Sequence, residues 1–307
     1  MSTSVPGVNP SVEKPRPGLK LWVMAARPKT LTAALVPVLV GTALAFGLGV
    51  GRALPALAAL LGAVLIQIGT NFINDYYDFK KGADTQERLG PKRVTQSGLI
   101  APSTVLAGAA VCFGLATAVG LYLVVVGGWP IIAIGVASLL CGFAYTGGPF
   151  PLGYHGLGDL FVFIFFGLVA VTGTYYVQAG TVDPAAWWAA VPVGAIGTAL
   201  IVVNNQRDAS TDVKAGKRTL VVRFGTGMGR AEYVLLLVLS YATPFAMYAL
   251  GQAGPWVFLA LLSLPLAVPP LRLMLTAHGA ALNPALGGTA RLQLVYGLLF
   301  ALGLYLR

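Results

Sequence analysis

The sequence predicts an all-α integral membrane protein: nine transmembrane helices in one bundle, with Asp-rich loops on the cytoplasmic side. Three observations carry this expectation. Hydrophobic residues make up 57% of the chain and charged residues 10%, where soluble domains average about 25% charged. Mean hydropathy is +0.79. The apolar runs reach the ~20 residues that cross a bilayer, and they leave no room between them for a soluble domain.

Residues 1–18 are polar and contain proline, with no apolar run after a basic start. They read as a disordered tail and not as a signal peptide. Residues 19–307 then form a single membrane domain. Its spans are expected at about 30–50, 53–73, 103–127, 129–147, 157–178, 185–205, 231–252, 254–276 and 289–306. Gly127-Gly128-Trp129-Pro130 and Gly254-Pro255 mark tight helical hairpins between neighbouring spans. Cys112 and Cys141 fall inside apolar runs and read as small buried hydrophobes.

The net charge of +10 follows the loops. Lys14, Arg16, Lys20, Arg27 and Lys29 precede the first span, and Lys80, Lys81, Arg88, Lys92 and Arg93 follow the second. Arg207, Lys214, Lys217, Arg218, Arg223 and Arg230 follow the sixth, and Arg272 and Arg291 flank the loop after the eighth. Nine spans put all of these on one face, leaving Arg52 and Arg307 on the other. The positive-inside rule makes the loaded face, and the N-terminus, cytoplasmic. Topology thus accounts for a basicity that would suggest nucleic acid in a soluble protein, and no nucleic-acid partner is expected.

Two stretches on that face resemble each other. A shift of 134 residues places Asn71 on Asn205, Asp78 on Asp212, Lys80 on Lys214, Gly82 on Gly216 and Thr85 on Thr219, with Asn74 on Asp208. The shift carries span 2 onto span 6 in the same orientation, as two parallel four-helix repeats plus a ninth helix would. Of ten carboxylates in the chain, five lie in these two windows. At helical spacing Asn71, Asp75 and Asp78 make one stripe, and Asn204, Asp208 and Asp212 another. Ionisable groups at the end of a span are costly, which points to function.

Both stripes offer hard oxygens. Mg²⁺ takes one or two carboxylates and fills its shell with water and phosphate oxygens. The candidate metal ligands are Asn74, Asp75, Asp78, Asp84, Asn204, Asp208 and Asp212, and Asp75, Asp78, Asp208 and Asp212 are the candidate catalytic carboxylates. Lys81, Lys92, Arg93, Lys214, Lys217 and Arg218 are interleaved with them and suit the oxygens of a diphosphate. Gly216-Lys217 lacks the spacing of a phosphate-binding Walker loop, and neither histidine sits in a metal-binding pattern.

Asn74-Asp75-Tyr-Tyr-Asp78-Phe-Lys-Lys-Gly82-Ala-Asp84-Thr85 resembles the first Asp-rich motif of the UbiA superfamily of membrane prenyltransferases. Asn205-Gln-Arg207-Asp208-Ala-Ser-Thr-Asp212-Val-Lys214-Ala-Gly216-Lys217-Arg218-Thr219 resembles the second. The likeness covers the chain from Trp22 onward. Five stretches resemble the branch that prenylates 1,4-dihydroxy-2-naphthoate in menaquinone synthesis. They are Ala26-Arg27-Pro28-Lys29-Thr30-Leu31, the run from Leu89 to Gly98, Tyr145-Thr146-Gly147-Gly148-Pro149, Gly156-Leu157-Gly158-Asp159 and Gly216-Lys217-Arg218-Thr219-Leu220. One departure stands out: many members carry a third Asp four residues after the second, where this chain has Gly82 and then Asp84.

The resemblance implies Mg²⁺-dependent transfer of a polyprenyl group from its diphosphate to the naphthoate, in the bacterial cytoplasmic membrane. The prenyl tail would lie along the apolar bundle and open to lipid. The allylic cation needs a dry pocket with aromatic faces, for which Tyr145, Tyr154, Tyr175 and Tyr176 are available. Arg27, Asn71, Tyr145, His155 and Asp159 are candidates to hold the acceptor. Other readings are transfer to 4-hydroxybenzoate or homogentisate, phytyl transfer in phylloquinone synthesis, and a cation-coupled transporter. Transport sites lie near the bilayer midplane, and these stripes sit at one mouth.

Overall fold

A computed structural model describes residues 17–83 and 89–307. Most of the expected tail, and the candidate ligand Asp84, lie outside the described residues. Among the described residues the chain is helical with no strand. In order the helices are α1 (Leu19–Ala26), α2 (Thr32–Gly47), α3 (Ala53–Lys80), α4 (Pro102–Gly127), α5 (Trp129–Ala144) and α6 (Gly158–Ala179). There follow α7 (Pro184–Lys214), the short α8 (Leu220–Phe224), α9 (Thr226–Ala249), α10 (Pro255–Thr276) and α11 (Gly279–Leu306).

By length and composition α3, α4, α6, α7, α9, α10 and α11 are seven candidate membrane spans. The stretch from α1 through α2 qualifies as an eighth when taken as one span bent by 56°. α5 is apolar but has only 16 residues. The chain is an integral membrane protein. Arg27 marks the bend between α1 and α2, with φ of 52°, and is the only non-glycine residue with positive φ among those described.

α7 is the central helix: 78% of its most apolar window is buried, against 17% for α4 and 28% for α3. It packs on α9, α6 and α11, while α11 also packs on α2 and α10. α7 and α6 meet at Gly194 and Gly167. A Cβ on Gly167 would stand 2.6 Å from the Gly194 Cα, so any larger residue there would push the helices apart. A second group forms around α3, α4 and α1, with the Val94–Ile100 loop folded against it. α6 carries a π-helical stretch, Phe163–Val169, of the kind that re-aims side chains near functional sites.

The two Asp-rich stretches end α3 and α7 in the same way. Gly82 N–H donates to Phe79 O at 3.0 Å and Ala83 N–H to Asp78 O at 2.8 Å. Gly216 N–H donates to Val213 O at 3.2 Å and Lys217 N–H to Asp212 O at 2.9 Å. Both are Schellman turns closed by a left-handed glycine, with φ of 68° at Gly82 and 71° at Gly216. The 134-residue shift maps one set of hydrogen bonds onto the other, partner for partner.

Candidate active site

Asp78 is the hub. It is 2% exposed, and an uncompensated carboxylate so placed would be costly. Arg93 Nη2 donates to Oδ2 at 2.7 Å, and the Tyr154 hydroxyl donates to Oδ1 at 2.8 Å. Lys217 Nζ stands 3.4 Å from the same Oδ1 and 3.9 Å from Asp212 Oδ1. One ammonium therefore joins the carboxylates of the two stretches. Lys217 belongs to the Schellman turn after α7, and Arg93 to the loop that returns from α3 toward α4. The site thus exists only when both helix ends and that loop are in place.

Tyr154 organises the cations. Lys81 Nζ lies 4.6 Å and Lys217 Nζ 4.8 Å from its ring centroid, within cation–π reach. Its backbone oxygen accepts from Arg218 N–H at 2.8 Å, pinning the Tyr154 turn to the end of α7. Lys81 also donates to Thr146 O at 2.7 Å, and Thr146 Oγ1 to Asn74 Oδ1 at 2.6 Å. Burial first, then the charge of Lys217, pull the Lys81 pKa below the ordinary lysine value, with Asp78 opposing them.

The other carboxylates have different surroundings. Asp75 is 1% exposed and accepts from Val94 N–H at 3.3 Å and Thr95 N–H at 3.4 Å, so it holds the loop that carries Arg93. Asp208 is gripped by its neighbour Arg207 through Nε at 2.8 Å and Nη2 at 2.6 Å. Arg207 Nη1 donates to Asn283 Oδ1 at 3.1 Å, and Asn283 Nδ2 to Leu89 O at 2.9 Å. That chain ties the start of α11 to the loop after α3. Asn205 Nδ2 donates to Asp159 at 3.1 and 3.4 Å, and Asn204 bonds back to Leu200 O in its own helix at 3.3 Å.

Among the described residues no three of His, Cys, Asp and Glu converge. The donor chemistry nevertheless fits one Mg²⁺ with a diphosphate, since that ion needs only one or two carboxylates besides phosphate and water. Asp78 and Asp212 already converge on a cation, the Lys217 ammonium.

Of the expected diphosphate ligands, Lys81, Arg93 and Lys217 meet at Asp78 and Tyr154, whereas Lys92, Lys214 and Arg218 have exposed side chains. Among the acceptor candidates, His155 is held in its own turn, stacked on Phe150 at 3.8 Å with Nδ1 2.9 Å from Pro151 O. Asn71 Nδ2 donates to Ala26 O at 2.9 Å and Thr30 Oγ1 at 3.1 Å, which fastens the bend between α1 and α2. Arg27, at that bend, is near enough for its charge to act on Asp78. Tyr176 donates to Gly127 O at 2.8 Å, and Tyr175 is buried in the core built on α2, α7 and α11. Neither meets the site.

A cavity of about 470 Å³ runs beneath the site between α3, α4, α5 and α6, lined by Gly135, Phe161, Phe165 and Val177 among other apolar residues. Tyr145 joins site and cavity. It lines the cavity wall, and the carboxylates of Asp159, Asp78 and Asp212 all act on its phenol. Sequence reasoning weighed Tyr154 only as one aromatic face among four and did not single out Thr146, Asn283 or Gln67. Tyr154 sits in a glycine-rich turn between two spans and Thr146 in the family-like stretch Tyr145-Thr146-Gly147-Gly148-Pro149, whereas Asn283 and Gln67 carry no such signal.

An all-helical membrane bundle with two acidic helix ends joined by one lysine over an apolar cavity defines the class. Residues 34–302 match the model of the UbiA prenyltransferase family, and the chain belongs to that family. It is 39% identical over 281 residues to a 1,4-dihydroxy-2-naphthoate octaprenyltransferase of Mycobacterium tuberculosis, covering 91% of this chain and 95% of the relative. It is 38% identical to the enzyme of the same name from Escherichia coli, covering 93% and 95%. A UbiA homolog from Archaeoglobus fulgidus, solved bound to DMAPP and Mg²⁺, shares the fold with a TM-score of 0.60 at 15% identity, covering 91% of this chain and 98% of that one.

Proposed function

We propose that the protein transfers a polyprenyl group from polyprenyl diphosphate to 1,4-dihydroxy-2-naphthoate, releasing CO₂ and diphosphate and giving demethylmenaquinol. The observation that carries the reading is Lys217 reaching both Asp78 and Asp212 beside a cavity that suits an isoprenoid tail. The names of the two bacterial relatives supply the acceptor.

Asp78 and Asp212 would hold Mg²⁺, which neutralises charge on the departing diphosphate; the Archaeoglobus fulgidus homolog was solved with that ion. Asp75, Asp208, Asn74 and Asn204 frame these two, Asp84 completes the first stretch, and Lys92, Lys214 and Arg218 extend the basic rim. Lys81, Arg93 and Lys217 bind and orient the diphosphate oxygens. The bond between the allylic carbon and oxygen breaks with its electron pair on the diphosphate. The acceptor carbon that bears the carboxylate attacks the allylic cation. A new carbon–carbon bond forms, CO₂ departs, and the pair from the broken bond restores the aromatic ring. Tyr145, Phe161 and Phe165 keep water from the cation, and the tail runs down the cavity.

The reading makes residues 19–307 one domain in the bacterial cytoplasmic membrane with its N-terminus inside. Counting both the bent α1–α2 stretch and α5 brings the crossings to nine, which places every loaded loop on one side. The experiment is an acceptor screen in membranes containing the protein, Mg²⁺ and one polyprenyl diphosphate. Prenylated product from the naphthoate supports the reading. Product only from 4-hydroxybenzoate, homogentisate or another acceptor overturns the assignment.

A further inference from the structure

Gln67 lies on α3 one turn before Asn71 and lines the cavity together with Thr70 and Tyr145. It is 8% exposed. Its Nε2 donates to Asn71 Oδ1 at 3.4 Å, and its Oε1 is buried without a hydrogen-bond partner. A buried carbonyl oxygen left unpaired costs roughly 1–3 kcal/mol, so a polar residue in this wall calls for an explanation.

The orientation of the amide is fixed by its neighbours. Ala26 O, a backbone carbonyl, can only accept, so the Asn71 nitrogen must face it, as it does at 2.9 Å. Thr30 Oγ1 gives its own proton to Arg27 O at 2.9 Å and accepts from the same Asn71 nitrogen at 3.1 Å. Asn71 Oδ1 therefore faces Gln67, which must answer with its nitrogen. Gln67 Oε1 is left as a buried acceptor with no donor, on a side chain that lines a cavity otherwise built mainly from apolar residues.

We propose that Gln67 Oε1 accepts a hydrogen bond from a ring hydroxyl of the aromatic acceptor and thereby selects the hydroxylated, reduced ring. This rests on the proposed function and adds the residue that reads the acceptor. A hydroxyl donor relieves the unpaired oxygen. A quinone carbonyl in the same place has no proton to give and would oppose Oε1 acceptor to acceptor. A carboxylate is disfavoured there for the same reason, which leaves the acid group of the acceptor to the cations at the mouth. The prenyl tail has no donor and gains nothing from the contact.

The test compares 1,4-dihydroxy-2-naphthoate with its two monomethyl ethers as competing ligands, in membranes bearing wild-type protein or Gln67→Met. The wild type should bind one ether about tenfold more weakly than the diol, the loss expected for one hydrogen bond with a buried partner left unpaired. Gln67→Met should bring that ratio to within about twofold. A wild type that binds both ethers as tightly as the diol overturns the proposal without need of any variant. So does a Met variant that keeps the full ratio. If the wild type prenylates a different aromatic diol, the same comparison is made on that diol. Turnover with an unchanged ratio defeats this inference alone, and no turnover with any aromatic diol defeats the proposed function beneath it.

Discussion

Lys217 Nζ stands 3.4 Å from Asp78 Oδ1, although the two residues lie in separate acidic stretches at the ends of different helices. The same nitrogen is 3.9 Å from Asp212 Oδ1. The two helix ends thus share a single centre of charge, with Tyr154 and Arg93 closing it. Two carboxylates facing one cation also suit one Mg²⁺ with a diphosphate, since that ion takes one or two carboxylates.

Replacing that lysine tests the shared centre. Lys217→Met should lower kcat/KM for polyprenyl diphosphate by about 10- to 100-fold, the worth of one charge-assisted contact. The acceptor KM should stay near its wild-type value. Steady-state kinetics varying one substrate at a time make the check.

Asp75 should behave differently from Asp78. Its two described contacts are backbone N–H groups of the returning loop. Asp75→Ala should destabilise the protein by roughly 1–3 kcal/mol, because both donors lose their partner. Asp75→Asn keeps one acceptor oxygen and should recover most of that loss. Thermal unfolding of the purified variants in one detergent distinguishes the two.

Lys81 sets a pH limit. Burial lowers its pKa, so it sheds its proton at lower pH than an ordinary lysine. Its attraction for diphosphate is complete while it is charged and fades on the alkaline side. The KM for the donor should therefore rise there. Lys81→Arg should move the rise to higher pH, because arginine stays protonated. A pH series of donor KM values for both proteins measures this.

The cavity should discriminate by length. Gly135 lines it, and no atom beyond its own stretch of helix backbone lies within 4 Å of where a Cβ on Gly135 would be, so a larger side chain can enter the open space. Gly135→Trp should cut kcat/KM for a long-chain donor by roughly tenfold or more, as steric exclusion from an apolar pocket does. A five-carbon donor should be used as before. The ratio of the two is the readout.

The membrane class and the two acidic ends were legible in the sequence because both follow short-range rules. Apolar run length fixes a span, and Asn/Asp spacing at a helix end survives as a face. The shift that pairs Gly82 with Gly216 turns out to pair two matching turns. The partners of those carboxylates were less legible. Asp75 looks like Asp78 in sequence, yet one holds backbone and the other holds Arg93, Tyr154 and Lys217. That difference depends on how the 89–101 loop folds back, which no local pattern encodes. Tyr154 and Asn283 are brought in across 76 residues in each case, to Asp78 and to Arg207. Gln67 reads as an ordinary polar residue in a span until the cavity beside it is known.

That both acidic ends serve one reaction is the proposal from which the others follow. Its most direct measurement is Mg²⁺-dependent prenyl transfer by wild-type, Asp78→Asn and Asp212→Asn proteins in membranes of matched content, with helicity checked by circular dichroism. The expected outcome is product from the wild type, loss on chelation with return on added Mg²⁺, and at least about 100-fold less product from each folded variant. Transferase activity retained by both variants would contradict it.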